Sequence, residues 1–222
     1  MKSLFVTSTG TDIGKTFICC RLLETLGGSI PVRCIKPVIS GFDPEQPGVS
    51  DTAKLLKAQR LPVTDANIEA TSPWRFRASL SADMAARREN RQLNLNEIVR
   101  FSQAPDSVGL NLIEGVGGVM APLNERHTVL DWISALETEV LLVVGSYLGS
   151  LSHTLTALEA LASRSLVPAA IVVSQSEHEP VSADESIETL QRFTGAMPYI
   201  SMPRSEKASA TDLVALLKNG IL

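Results

Sequence analysis

The chain has 222 residues, 44% hydrophobic and 20% charged, the balance of a globular protein with one sizeable core. A formal net charge of -4 offers no electrostatic footprint for a nucleic-acid partner. No apolar run approaches the roughly 20 residues that cross a bilayer, and the opening run, ending before Thr7, is too short for a signal-peptide core.

Short apolar runs alternate with helix-like stretches along the whole chain. Strands are expected at residues 4–7, 32–37, 110–114, 140–144 and 169–174, several of them continuously apolar, as strands buried on both faces of a parallel sheet are. Helices are expected at 16–26, 52–57, 95–103, 129–136, 152–164, 184–194 and 211–218. Leu151, Leu155, Leu158 and Leu161 form a helical stripe that suits either a core or a subunit-packing face. Residues 42–48, with Pro44, Pro47 and Gly48, read as an exposed loop, whereas the polar, basic stretch 75–94 has too weak a periodicity to place. The alternation implies a doubly wound α/β fold, mostly parallel, with helices on both faces and residues 1–222 forming a single domain. Cys19, Cys20 and Cys34 lack metal-site spacing and read as reduced thiols, which suits a cytoplasmic protein.

The first strand runs into Ser8-Thr9-Gly10-Thr11-Asp12-Ile13-Gly14-Lys15-Thr16 and then into an apolar helix. Strand, glycine-containing loop and helix, in that order, make a phosphate-binding loop. Backbone N–H groups and the helix dipole face the anion, Lys15 reaches the terminal phosphates and the Thr16 hydroxyl can ligate Mg²⁺. The usual pattern wants glycine where Thr9 stands.

Two other strands end on chemistry. Glu114 closes an apolar strand and enters Gly115-Val116-Gly117-Gly118, the place for a carboxylate that holds Mg²⁺ beside the loop. Lys36-Pro37 closes another, which puts a lysine on the same rim to bind phosphate or an anionic substrate unless it extends into solvent. Either Ser50 or Asp51 can cap the helix that follows. His127 and His153 are isolated and read as structural.

Taken together these blocks resemble the dethiobiotin synthetases. The match runs through Phe5-Val6-Thr7, Gly10–Thr16, Lys36-Pro37-Val38-Ile39-Ser40-Gly41 and Ser50-Asp51-Thr52. It continues through Glu114–Gly118 with Pro122-Leu123, Asp131-Trp132, Val143-Val144-Gly145 and Leu148-Gly149-Ser150-Leu151-Ser152-His153, in the family's order from residue 4 to about 175. The resemblance implies ATP-dependent closure of a ureido ring on 7,8-diaminononanoate with CO₂, by a cytoplasmic homodimer.

By the same resemblance Lys15 and Lys36 are catalytic, and Thr16, Asp51 and Glu114 hold Mg²⁺, which makes Asp51 a ligand rather than a cap. Nucleotide contacts fall to Asp12, Ile13, Gly14, Lys15, Thr16, Phe17, Glu114, Gly115, Val116, Gly117, Ser174, Gln175 and Pro203, with residues 203–206 near ribose and base. Substrate contacts fall to Thr11, Ser40 and, across the subunit boundary, Gly149, Ser150, Leu151 and Ser152.

The chain departs from the family at Gly10, where the family carries an acidic residue, and at Asp12, where it often carries glutamate. It departs again at Ser81-Ala82-Asp83, where Ser-Pro-His is usual, at Ser152 for asparagine, and at Ser174 for the asparagine that reads adenine. Ser174 therefore leaves open a nucleoside triphosphate other than ATP.

Two further classes share this loop architecture. Cobyrinate-type amide ligases add a glutaminase domain with a cysteine nucleophile, whereas all three cysteines here precede residue 35. Switch ATPases of the MinD and ParA group carry another lysine early in the loop, where this chain has Thr9 and Gly10. Intact lysines and carboxylates argue against a nucleotide-binding domain without catalysis.

Overall fold

A computed structural model describes residues 2–105, 107–176, 178–205 and 207–218. Its main sheet consists of β1 (Lys2–Ser8), β2 (Val32–Ile35), β5 (Leu110–Glu114), β6 (Glu139–Gly145), β7 (Ala170–Ser174) and β8 (Tyr199–Met202). The strands lie in the order β2-β5-β1-β6-β7-β8, and every pairing is parallel. The four central strands are almost wholly buried, which explains their unbroken apolar sequences.

Alternate side chains of the strands feed two separate cores. On one face Leu4, Val6, Leu112, Leu141 and Val143 pack with α1 (Lys15–Leu26), α2 (Asp51–Ala58) and α9 (Thr211–Lys218). On the other, Phe5, Ile113, Leu142 and Val144 meet α5 (Leu95–Ser102), α6 (Val129–Leu136) and α7 (Ser150–Ala162), with α8 (Ala183–Thr194) alongside. Phe5 stands edge-on to the fully buried Trp132 at 4.8 Å, and the Trp132 Nε1–H donates to Ser102 Oγ. Helices thus cover both faces of a parallel sheet, as the alternation of apolar runs implies.

The expected strand at 32–37 is shorter than its apolar run. β2 ends at Ile35, and Pro37 has no N–H with which to continue the ladder. The Lys36 N–H instead donates to the Thr71 carbonyl at 3.1 Å. The chain then forms β3 (Val38–Ser40), which pairs in parallel with β4 (Trp74–Phe76) as a separate two-stranded ribbon. Between them lie α2 and α3 (Asp65–Thr71), and after β4 comes α4 (Ala82–Arg88). The stretch 75–94 therefore holds the end of a strand and a short helix whose buried face is Ala82, Ala85 and Ala86. Three alanines leave little apolar periodicity to read.

The two candidates for the α2 cap separate cleanly. Ser50 Oγ accepts from the Ala53 N–H at 3.1 Å, so Ser50 is the cap and the Asp51 carboxylate is free for other partners. On the leucine stripe, Leu161 is buried while Leu151, Leu155 and Leu158 are only half-buried. His127 Nδ1 lies 3.1 Å from Asn124 Oδ1, and His153 Nδ1 lies 2.8 Å from the Tyr147 hydroxyl.

The entry to α6 carries a testable charge. Asp131 accepts from the Thr128 N–H at 2.8 Å and from its hydroxyl at 3.0 Å, and it pairs with Arg164 at 2.8 Å. Burial alone would raise the Asp131 pKa, but the Thr128 bonds and Arg164 outweigh it and lower it. A carboxyl lowered on folding stabilises the fold above its unfolded pKa, near 3.9, and loses that contribution as pH falls through the folded value. Asp131→Ala should therefore cost about 1 kcal/mol at neutral pH. Urea unfolding at neutral and acid pH should show that difference vanish once the carboxyl is protonated.

Candidate active site

The site lies at the carboxyl end of β1, where the chain returns on one side to β2 and β5 and on the other to β6. This is the switch point of an open parallel sheet, the place where such folds bind ligands. A cleft of about 600 Å³ opens there, lined by the phosphate loop, the ends of β3 and β5, the start of α2 and the segment leading into α4.

Within the loop, Asp12 (φ 58) and Gly14 (φ 108) hold left-handed backbone conformations, but Thr9 does not. A glycine is therefore not required at position 9, and the Thr9 N–H continues the pairing with the β6 partner Val143. Close approach is needed instead at Gly118, whose added Cβ would lie 3.0 Å from the Gly10 nitrogen and 3.1 Å from the Ser8 carbonyl oxygen. The glycine-rich turn after β5 thus lies directly on the phosphate loop.

Lys15 opens α1 and is buried, its Nζ donating to Ser8 Oγ at 3.1 Å and to the Gly10 carbonyl at 3.3 Å. Burial lowers its pKa to about 8, Lys36 acting in the same direction while Glu114 and Asp51 oppose. Across the cleft, Lys36 is also buried rather than extended into solvent. Its Nζ donates to Asp51 Oδ2 at 2.6 Å and to Glu114 Oε1 at 2.8 Å. Burial would lower Lys36, but the attraction and hydrogen bonds of these two carboxylates raise it above the ordinary lysine value. Asp51 is correspondingly lowered to about 2, Lys36 outweighing the burial that would raise it. Lys54 supports Asp51 from outside, at 3.0 Å from Oδ1.

The Thr16 hydroxyl donates to Glu114 Oε1 at 2.6 Å, which joins the phosphate loop to the β5 carboxylate. Glu114 is fully buried, and its Oε2 has no hydrogen-bond partner among the described residues. Such an atom is costly unless something else satisfies it. Thr16, Asp51 and Glu114 form an all-oxygen donor set, which fits Mg²⁺ held by one or two carboxylates together with substrate phosphates. No cluster of three or more His, Cys, Asp or Glu suited to a metal occurs among the described residues, so the set is not a protein-only cage.

Thr11, Asp12, Gly14, Lys15, Thr16, Phe17, Lys36, Ser40, Asp51, Glu114, Val116 and Gly117 all line this one cleft. Ile13 packs into the α1-side core, and an added Cβ on Gly115 would meet the Phe5 ring at 2.8 Å. Gly149, Ser150, Leu151 and Ser152 begin α7 and do not line this protomer's cleft, and neither do Gln175 and Pro203. Ser174 ends β7, fully buried, and Glu206 lies outside the described residues.

The cleft also contains residues that pattern reading passed over. Lys54 was legible as the position one turn after Asp51, and Ser81 as part of the Ser81-Ala82-Asp83 block. Ser79 carried no signal of its own, and Arg204 entered only through the resemblance, within the segment 203–206.

Sheet order, loop and rim carboxylate define a P-loop nucleotide-binding α/β protein. A family model described as an AAA domain matches residues 2–210. The ATP-dependent dethiobiotin synthetase BioD of Caulobacter vibrioides is 46% identical over 221 residues, 98% of this chain and 99% of that protein. That of Acidiphilium cryptum is 44% identical over 202 residues, covering 89% and 91%. This chain belongs to the dethiobiotin synthetase family.

Solved structures with the same fold include the hydrogenase maturation factor HypB from Archaeoglobus fulgidus, with TM-score 0.59 and 13% identity, covering 99% of this chain and 89% of that one. A ParA family ATPase from Chlorobium tepidum has TM-score 0.54 and 13% identity, covering 99% and 93%. At that identity they show the fold alone.

The Lys36 contacts predict a specific stability effect. Lys36→Met leaves Glu114 and Asp51 facing each other without the buried cation, which should cost about 3 kcal/mol in the absence of metal. Mg²⁺ should restore part of the loss, read as a urea midpoint that is low in chelator and rises on adding the ion.

Proposed function

We propose that the rim cluster of Lys15, Lys36, Asp51 and Glu114 is where this dethiobiotin synthetase transfers phosphate to a carbamate and closes the ureido ring. The carrying observation is Lys36, buried and hydrogen-bonded to both carboxylates, 3.5 Å from the Thr16 hydroxyl of the phosphate loop. It brings a second fixed cation to the terminal-phosphate end of the nucleotide.

The enzyme forms dethiobiotin from 7,8-diaminononanoate, CO₂ and ATP. One amine takes up CO₂ and loses a proton to give the carbamate. A carbamate oxygen attacks the γ-phosphorus, and the bond to ADP breaks. The second amine then attacks the carbamoyl carbon and expels phosphate, losing a proton as the ring closes.

Negative charge gathers on the transferring phosphoryl oxygens, between Lys15 on one side and Lys36 on the other. Because both ammonium groups are already desolvated and held by hydrogen bonds, they stabilise that charge with little reorganisation. Thr16, Asp51 and Glu114 would hold Mg²⁺, which when bound neutralises the β- and γ-phosphate oxygens. Thr11 and Ser40, both in the cleft lining, contact the diamine or its carbamate.

The half-buried leucines of α7 and the placement of Gly149, Ser150, Leu151 and Ser152 away from the protomer's own cleft support a homodimer in which these residues reach the partner's substrate. No helix among the described residues is long and apolar enough to cross a membrane. The three free thiols agree with a single-domain cytoplasmic enzyme.

Incubation with 7,8-diaminononanoate, bicarbonate and MgATP should yield dethiobiotin by mass spectrometry, and folded protein that makes none would refute the reading. In the same assay Lys36→Ala should lower turnover at least about a hundredfold, in the range of a lost oxyanion-type donor, with a much smaller change in nucleotide affinity. Replacing ATP with CTP or GTP reads what Ser174 admits. Sedimentation equilibrium should give twice the protomer mass, and a monomer that is fully active would remove the subunit-crossing substrate contacts.

A further inference from the structure

The segment after β8 places one cation against the phosphate loop from the side opposite Lys36. The β7–β8 register pairs Ser174 with Met202, and the Gln175 N–H donates to the Met202 carbonyl at 3.1 Å. Pro203 and Arg204 therefore leave the sheet at the same rim as the loop. Arg204 Nε donates to Ser174 Oγ at 3.0 Å, and Nη2 donates to the Asp12 carbonyl at 2.8 Å, across 192 residues of sequence. A Cβ built on Gly14 would lie 2.6 Å from Ser174 Oγ and 3.1 to 3.2 Å from the guanidinium nitrogens. The Ser174–Arg204 pair is thus in contact with the loop at both of its left-handed positions, Asp12 and Gly14. A non-glycine residue such as Asp12 keeps that conformation only when its surroundings hold it.

The peptide plane supplies the consequence. In a trans peptide the C=O and the following N–H point in opposite directions. Arg204 fixes the Asp12 carbonyl on its own side, so the Ile13 N–H is turned the other way. That N–H has no partner among the described residues, which suits a donor reserved for a phosphate oxygen.

We propose that Arg204 is a positioning residue for nucleotide binding: with Ser174 it latches the Asp12–Ile13 peptide so that the loop's N–H groups stay aimed at the triphosphate. The proposal rests on the cleft being the nucleotide site of the ring-closing reaction. Lys36 and its carboxylates lie on the β2 and β5 side, so the latch acts on how firmly the nucleotide is held rather than on the transfer step. Ser174 contributes by anchoring the guanidinium, a role a larger side chain could not take without displacing Gly14 or Arg204.

The test is steady-state kinetics on the full-length enzyme with Arg204→Met, Arg204→Lys, Ser174→Ala and the Ser174→Ala/Arg204→Met double variant. Loss of one charge-assisted hydrogen bond should raise the KM for ATP about tenfold in Arg204→Met. Turnover at saturating ATP should fall less than about threefold, with the KM for diaminononanoate staying near the wild-type value. Arg204→Lys, which keeps the charge but reaches one acceptor, should recover part of the loss. Ser174→Ala should give a smaller rise, and the double variant should be no worse than Arg204→Met, because both remove one latch.

An unchanged KM for ATP in Arg204→Met overturns the proposal. So does a parallel rise in both KM values together with a lowered melting temperature, which marks a merely structural arginine. Wild-type enzyme that makes no dethiobiotin defeats the functional reading instead, so the two failures are distinguishable.

Discussion

The structure turns on a lysine that has been taken out of water. Lys36 is buried at the end of β2, and an isolated ammonium there would cost several kcal/mol in lost hydration. It is tolerable because Glu114 and Asp51 both accept its hydrogen bonds. That requirement constrains three separate pieces of chain. β5 must end at Glu114, β2 must stop before Pro37, and α2 must be capped by Ser50 so that the Asp51 carboxylate can turn inward. The arrangement leaves Glu114 Oε2 buried and unsatisfied among the described residues, a stored demand that a cation can meet.

The phosphate loop imposes a second, steric constraint. The turn after β5 has to lie on the loop backbone, which only Gly118 permits, and Gly14 has to admit Ser174 and Arg204 against its α-carbon. The two halves of the cleft then have different characters. Charges on the β2 and β5 side compensate one another at hydrogen-bond distance, while on the β7 and β8 side neutral backbone is held in place by a single cation. The sheet is shared with HypB and ParA-type proteins at 13% identity, a likeness of fold alone.

Strands β1, β5, β6 and β7 were legible because each is buried on both faces and so is almost unbrokenly apolar. β8 was missed for the converse reason: it is an edge strand with only Met202 fully buried, so its sequence has no apolar run. α3 buries just Ile68 and Thr71 over seven residues, too few for a helical period. Among site residues, Lys15, Thr16, Glu114 and Lys36 announced themselves by standing at strand or loop ends. Arg204 entered only by resemblance, within 203–206, and its contacts with the Asp12 carbonyl and a serine on a neighbouring strand were not readable. Nothing in its local sequence encodes either.

By itself the sequence determined the fold class, the phosphate loop and the family, since each depends on residue type and order along short segments. It also placed Lys36 and Glu114 at strand ends, though it left Lys36 a choice between the site and solvent, and Ser50 and Asp51 equal as caps. Only the tertiary structure decided those questions. A buried charge is settled by the partners that close around it, and those partners come from β5 and α2, 78 and 15 residues away in the chain.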